Sequence, residues 1–147
     1  MDSSHRKYVA AELNAFLLAW LSAQSCPVLN RPTASCLSGP NWQPEQWVQL
    51  AAGLGIPAQT HRSIPVRSYG SPSGDTVEVI SVGECCFGTD DPTLRCRTLK
   101  LAHAAKVDLL SIRYSAEDGR FIVANIWPPL KDPAVLEAVF RRLEARP

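Results

Sequence analysis

The fold is decided by residues 107–127, which read VDLLSIRYSAEDGRFIVANIW. Both ends of this segment are rich in β-branched and aromatic residues, which favour strands. The sequence Glu117-Asp118-Gly119 between them suits a tight reversal, because glycine adopts positive φ without strain. The segment therefore predicts an antiparallel β-hairpin, with strands over 107–114 and 121–127.

The flanking residues extend this pattern on both sides. Asp91-Pro92 and Asp132-Pro133 each combine an N-cap side chain with a proline suited to the first helical turn, so we expect a helix after each. Upstream, Thr76–Val82 is β-rich and can turn at Gly83-Glu84 into Cys85–Phe87. The C-terminal half therefore predicts the element order β-β-α-β-β-α.

The last helix should be amphipathic, with an i,i+4 ion pair between Glu137 and Arg141 on its wet side. Its apolar residues recur at helical spacing and are expected to be buried: Val135, Leu136, Val139, Phe140 and Leu143.

The N-terminal half begins with another helix whose apolar residues gather on one face, and we expect that face to be buried against the rest of the chain. They are Val9, Leu13, Phe16, Leu17, Trp20 and Leu21. A short strand is expected within 26–33, an irregular segment over 34–42, and a second helix from Pro44 to Gly53. Residues 56–66 are expected to be an extended edge segment, because Pro57 and Pro65 limit pairing.

Together these elements predict an α/β protein of the α+β type, with a small mixed or antiparallel sheet flanked by three to four helices. A helical lobe over 1–68 and an α+β unit over 75–147 are joined by a Gly- and Pro-containing hinge at 69–75. We expect them to form one compact two-lobed domain.

Composition excludes several classes of protein. The 147 residues include 15 Lys and Arg against 14 Asp and Glu, for a formal net charge of +1. This balance gives no electrostatic reason to expect nucleic acid or an anionic membrane as a partner. No apolar run approaches the roughly 20 residues of a membrane span. Five cysteines without a recognisable signal peptide predict free thiols and a cytoplasmic location.

Two groups of residues resemble parts of the ATP-grasp superfamily, especially the RimK-like peptide and amino-acid ligases. The sequences PVLNRP at 27–32, PEQW at 44–47 and GIP at 55–57 are similar to the region that precedes the ATP-grasp fold. The sequences AKVDLL at 105–110 and FIVAN at 121–125 are similar to the C-terminal lobe, which lines the metal-nucleotide site.

The resemblance implies a degenerate member of that superfamily. Asp108 matches the first acidic metal ligand and Asn125 the final amide ligand, but Val123 stands where the family has a glutamate. No segment remains for the lobe that grips the nucleotide. We therefore expect a vestigial metal site at most and no cofactor, with Mg-ATP as the alternative.

The hairpin register bears on this pair. If Tyr114 pairs with Phe121, the numbers of opposed residues sum to 235, and Asp108 shares a face with Asn125, Leu110, Ile112 and Val123. A shift of one residue would separate the two polar residues. Because magnesium needs several oxygen ligands, we favour a strand-end aspartate held by backbone donors and an asparagine that precedes a proline turn.

Other candidate residues each carry two interpretations. Asn30 and Arg31 form a candidate anion or substrate loop, although an arginine there could simply pair with a surface carboxylate. Aromatic residues near loops either fill the core or anchor interfaces, and the candidates are Trp42, Trp47 and Trp127.

The thiols considered for metal or redox chemistry are Cys85, Cys86 and Cys96. Cys85 and Cys86 are adjacent and should point to opposite faces of a strand, which disfavours chelation.

The leading hypothesis is a non-catalytic accessory or scaffolding subunit of a cytoplasmic complex, with a biosynthetic enzyme complex as its setting. A fold that lost its central lobe would expose apolar surface, which a homo-oligomer or another protein must cover. The first alternative is an ATP-dependent carboxylate-amine ligase component, in which Asp108 and Asn125 complete a composite active site with a partner chain. The second is a cysteine-based metal or redox module.

Overall fold

A computed structural model describes residues 3–34, 36–58 and 75–144. Its helices and strands are α1 (Ser3–Ala23), α2 (Pro44–Gly53), β1 (Thr76–Val82), β2 (Cys85–Phe87), α3 (Pro92–Ala105), β3 (Leu109–Ser115), β4 (Phe121–Asn125) and α4 (Pro133–Glu144). The four strands form one antiparallel sheet in the order β2-β1-β3-β4. The α+β class and the order β-β-α-β-β-α are confirmed.

The helix starts depend on local chemistry that the sequence carries. The Asp91 carboxylate accepts a hydrogen bond from the backbone N of Thr93 at 2.7 Å, and the Asp132 carboxylate accepts one from the N of Ala134 at 2.9 Å. Each satisfies a donor that the first helical turn leaves without an intrahelical partner. These caps fix where α3 and α4 leave the loops that precede them.

One face of the sheet carries the larger core, beneath α2 and α3. Trp47 and Ala51 of α2 pack in the same cluster as residues from all four strands and from α3. Its largest fully buried side chains are Val79, Leu101, Leu110, Ile112, Tyr114 and Phe121. Residues of the two segments predicted as separate lobes therefore share one core.

The other face is covered at one end by α4. Val135 and Val139 are buried against Val82 and Leu109, as a stripe at i,i+4 requires. The prediction that Phe140 and Leu143 belong to the buried stripe is wrong, since both side chains are exposed. Phe140 lies about 120° around the helix from the midpoint of Val135 and Val139, and Leu143 lies in the last turn of α4. The predicted Glu137–Arg141 ion pair forms at 2.6 Å on the exposed side.

The segment at 26–33 differs from the predicted short strand. It is irregular, and Thr33 makes an isolated antiparallel bridge with Cys36. Asn30 has φ +50°, a left-handed conformation that interrupts any extended strand. Of the predicted edge segment, the described residues 56–58 lie beside β4, where Phe121 N donates to the carbonyl of Pro57 at 2.8 Å. The remainder of that segment and residues 69–74 of the predicted hinge lie outside the described residues.

The hairpin register is interrupted close to its turn. Tyr114 pairs with Phe121 as predicted, but the next pairs are Arg113 with Val123 and Ser111 with Asn125. Ile122 is thus an extra residue in β4, which is a β-bulge. The prediction that Asn125 shares a face with Leu110 and Ile112 is wrong, because the bulge moves every later pair by one position.

The first helix, α1, is not buried as its pattern predicted. Five of its large apolar residues are between 46% and 65% exposed, namely Tyr8, Val9, Leu13, Phe16 and Trp20. Leu17, Leu18 and Leu21 are partly buried. Within the described residues α1 contacts no other helix or strand. Among all the described residues, no helix is both long enough and apolar enough to cross a membrane.

Tyr114 makes a polar connection inside the larger core. Its hydroxyl lies 3.0 Å from the Thr98 hydroxyl, which itself donates to the carbonyl of Leu94 at 2.9 Å. Burial is the main cause that raises the pKa of Tyr114 to about 12 from its ordinary value of 10. The neutral phenol is therefore the form that the folded state favours.

This shift predicts a loss of stability in alkali. Below pH 10 the phenol is protonated in both folded and unfolded chains, but between about pH 10 and 12 only the unfolded chain ionises. The free energy of unfolding should fall by about 2 to 3 kcal/mol across that range. Urea unfolding of the wild type and of Tyr114→Phe at several pH values isolates the effect, because other groups titrate in both proteins. Parallel pH profiles for the two would contradict the assignment.

Candidate functional site

Asn30 occupies a structural position instead of lining an open anion site. Its residue is 5% exposed, and its amide meets the sheet where β3 begins and β4 has just ended. The Nδ2 group donates to the carbonyls of Leu109 at 2.9 Å and Ile126 at 3.2 Å. The Oδ1 atom accepts from the backbone N of Asp108 and of Leu109, both at 2.9 Å. All its hydrogen-bonding capacity is therefore used by backbone groups.

The sequence-based interpretation missed this role, although a signal for it exists. Asparagine is, after glycine, the residue that most readily adopts the left-handed conformation, and it carries both a donor and an acceptor. Position 30 lies between two prolines, Pro27 and Pro32, where a short loop is expected. The neighbouring Arg31 is exposed. The structure thus separates the two residues of the candidate loop, one buried and one at the surface.

Asp108 is held by α4. Its Oδ1 atom accepts hydrogen bonds from the Nη2 of Arg142 at 2.7 Å and the Nε at 3.1 Å, while its carbonyl accepts from Gly83 N at 2.7 Å. The Arg142 side chain passes over Gly83, where an added Cβ would lie 3.7 Å from it. The ion pair is part-exposed, so we expect it to contribute no more than about 1 kcal/mol.

Asn125 positions a tryptophan. Its Oδ1 accepts from Trp127 N at 2.9 Å and its Nδ2 donates to the Trp127 carbonyl at 3.1 Å. The Asn125 amide therefore hydrogen-bonds both the N–H and the carbonyl of Trp127, immediately before the buried Pro128. We call residues 125–129 the Trp127 turn. As placed, Trp127 is 65% exposed and its backbone is fixed.

The two residues that the resemblance suggests as metal ligands do not converge. Asn125 pairs with Ser111, three positions along β3 from Asp108, which corresponds to about 10 Å of strand. The Oδ1 atom of Asp108 already accepts hydrogen bonds from Arg142, and the Oδ1 atom of Asn125 accepts one from the backbone N of Trp127. Magnesium requires several oxygen ligands around one point, so this pair does not fit Mg-ATP. Within the described residues, no group of three or more His, Cys, Asp or Glu side chains is placed to hold a metal ion.

The three candidate thiols lie in different surroundings. Cys85 is exposed on one face of β2 and Cys86 is buried on the other, as adjacent strand residues should be. Burial raises the pKa of the Cys86 thiol above its ordinary value, which keeps it protonated and unreactive. Cys96 is exposed on α3.

A shallow groove of about 470 Å³ follows the outer side of α3 and contains the Cys96 thiol and the His103 ring. These residues are seven apart on the helix, a rise of about 10.5 Å, which is too far for a nucleophile and its base. The His103 Nε2 atom instead lies 2.8 Å from the Glu84 carboxylate, and both side chains are largely exposed. The groove therefore brings no catalytic pair together.

The three candidate interface tryptophans occupy different environments. Trp47 is 5% exposed in the larger core, and Trp42 packs on it with 4.8 Å between ring centroids. These two therefore stabilise the position of α2. Trp127 remains at the surface and is the member of the set that another protein can reach.

Another accessible apolar surface is on α1. Val9, Leu13, Phe16 and Trp20 are spaced by four, three and four residues, so they form one narrow line along the helix. We call these four residues the α1 stripe. Each is about half exposed or more, and nothing in the described helices and strands covers them.

Comparison with protein-family models, with curated proteins and with solved structures finds no match for this chain. The ATP-grasp resemblance therefore stays a prediction that rests on the residues quoted for it.

The Asn30 contacts predict a large and specific loss of stability. Asn30→Gly keeps the left-handed backbone but removes four hydrogen bonds, so the free energy of unfolding should fall by about 2 to 4 kcal/mol. Asn30→Ala should lose about 1 kcal/mol more, because alanine strains at positive φ. Urea unfolding measures both.

The matched control is Arg31→Ala, which changes the exposed neighbour. We expect it to alter the free energy of unfolding by less than about 0.5 kcal/mol. A loss for Arg31→Ala as large as that for Asn30→Gly would contradict the structural role given to Asn30.

Proposed function

We propose that the chain is a non-catalytic accessory or scaffolding subunit of a cytoplasmic protein complex, and that it acts by holding other chains together. The observation that carries this proposal is the α1 stripe, a line of large apolar side chains left in water. Exposed apolar area costs about 25 cal/mol per Å² relative to burial, so a partner that covers the stripe gains free energy. Contiguous apolar patches of this kind are typical of interaction sites.

The Trp127 turn supports the proposal from a second position on the molecule. Tryptophan is enriched among residues that dominate binding energy at interfaces. The two Asn125 hydrogen bonds hold the Trp127 backbone before any partner arrives, which reduces the entropy lost on binding. Two accessible apolar features on different elements are what a scaffold that contacts two chains needs.

The polar residues of the candidate site support a non-catalytic role. The Asn30 amide is used by backbone groups, Asp108 is paired with Arg142, and Asn125 grips Trp127. The ATP-grasp resemblance supplies the expected setting, a complex that contains a biosynthetic ligase. The geometry gives no specific support to the composite ligase or to the cysteine-based module.

Mg-ATP titration tests the absence of nucleotide chemistry. Because Asp108 and Asn125 lie about 10 Å apart along the strand direction, we expect no micromolar binding in isothermal titration calorimetry. The variant Asp108→Asn should give the same flat titration. Micromolar binding that Asp108→Asn abolishes would contradict the non-catalytic assignment and favour the ligase alternative.

Affinity capture from the native source tests the role of Trp127. The wild-type chain should retain a defined protein in a complex of reproducible size, and Trp127→Ala should weaken that retention by about tenfold or more. Phe140→Ala is the matched control, since Phe140 is another aromatic residue that is more than half exposed. Equal loss in both variants, or no retained protein with wild type, would contradict a specific Trp127 contact.

A further inference from the structure

We infer that the α1 stripe packs against the stripe of a second copy of this chain, with the two α1 helices antiparallel. This inference rests on the proposed function, which makes α1 an association surface, and it names the partner. Four properties of the stripe favour this pairing: its symmetry, the sizes of its side chains, the charges beside it and its exposed area.

The spacing of the stripe is the same in both directions along the helix. The steps from Val9 to Leu13, to Phe16 and to Trp20 are four, three and four residues. Reversing the helix therefore maps Val9 onto Trp20 and Leu13 onto Phe16. A two-fold axis perpendicular to α1 brings the stripe into contact with its own copy, and a two-fold interface is the commonest arrangement in homo-oligomers.

The antiparallel arrangement also matches side-chain sizes. Each layer then contains one larger and one smaller side chain, Trp20 beside Val9 and Phe16 beside Leu13, which interdigitate well. A parallel arrangement would place Trp20 against Trp20 and Val9 against Val9. It would fill one layer with two indoles and leave another with two small residues.

Charges beside the stripe favour the same orientation. Arg6 and Glu12 flank it on either side. In a parallel pair the two Arg6 side chains would lie at the same level beside the seam, which is repulsive, whereas each Glu12 would face the opposite flank of the other helix. In the antiparallel pair Arg6 lies at the level of Ala23 and Glu12 at the level of Leu17, so like charges are apart.

The available area is sufficient for a weak dimer. A fully buried aromatic side chain covers about 150 to 250 Å², and the exposed fractions of the four stripe residues run from 46% to 65%. If all of that exposed area is covered, both copies together bury at most roughly 900 Å², which lies in the range of weak interfaces below about 1,200 Å². We therefore expect a micromolar dissociation constant.

A second copy fits the stripe better than a membrane surface does. Helices that lie on membranes carry many Lys and Arg residues on their polar face. The side of α1 opposite the stripe instead carries the uncharged residues Ala11, Asn14 and Leu18. The basic residues are confined to the first turns, at Arg6 and Lys7.

The first experiment measures the mass of the full chain by sedimentation at 1 to 200 μM. Wild type should dimerise in the micromolar range, whereas Phe16→Lys should raise the dissociation constant by about 100-fold or more, since the charge enters the interface twice. Ala11→Lys is the matched control on the opposite side of α1, and it should dimerise like wild type. The thermal unfolding midpoints of wild type and Ala11→Lys should agree, because both dimerise, and Phe16→Lys should still unfold in one cooperative transition.

The second experiment tests the orientation by charge exchange. Val9→Glu and Trp20→Lys should each weaken the dimer, but the double variant should restore it to within about tenfold of wild type. Only the antiparallel pair places the new glutamate of one copy beside the new lysine of the other. A double variant that remains as weak as either single variant overturns the antiparallel arrangement.

Three further results would overturn the inference. They are a wild-type monomer at 200 μM, a dimer that Phe16→Lys leaves intact, and a monomer that partitions onto phosphatidylcholine–phosphatidylserine vesicles through α1. If the wild type is monomeric but retains another protein through α1, the second copy is wrong and the proposed function stands. If it is monomeric and captures nothing through α1 or Trp127, both fail.

Discussion

A single amide side chain holds the loop before α2 against the end of the sheet where β3 begins and β4 ends. Asn30 bonds the backbone of β3 at its first residues and the chain just after β4, so it joins three segments that are distant in sequence. The left-handed backbone at Asn30 aims the amide inward and is the strain that these contacts offset. The chain then continues into α2, which is held against the sheet by Trp47 and Ala51 in the larger core.

Much of the fold could be predicted because its signals are local. The Asp-Pro helix starts and the glycine turn of the hairpin each depend on residues within a few positions. The register of the β3–β4 hairpin could not be predicted in this way, because the extra residue at Ile122 has no distinctive local chemistry. The exposure of α1 and of Phe140 could not be predicted either, because an apolar pattern identifies a helix face but not what covers that face.

The candidate site was harder to predict for a related reason. Asp108 and Asn125 are residue types that serve equally as metal ligands and as partners for backbone groups or arginine. Their roles depend on Arg142, more than 30 positions away, and on the turn at Trp127. A sequence shows that such side chains are present, but the pairing is decided by tertiary contacts. The same dependence made Asn30 resemble an anion-loop residue.

The four indoles divide the molecule into optically distinct parts. The buried Trp47 and the partly buried Trp42 lie close together with tilted rings, so their transitions couple and report on the packing of α2. Trp20 and Trp127 are more than half exposed and emit from water, within reach of a soluble quencher. Each of the two association surfaces therefore carries its own fluorophore, and contact at either would move that indole's emission to shorter wavelength without any added label.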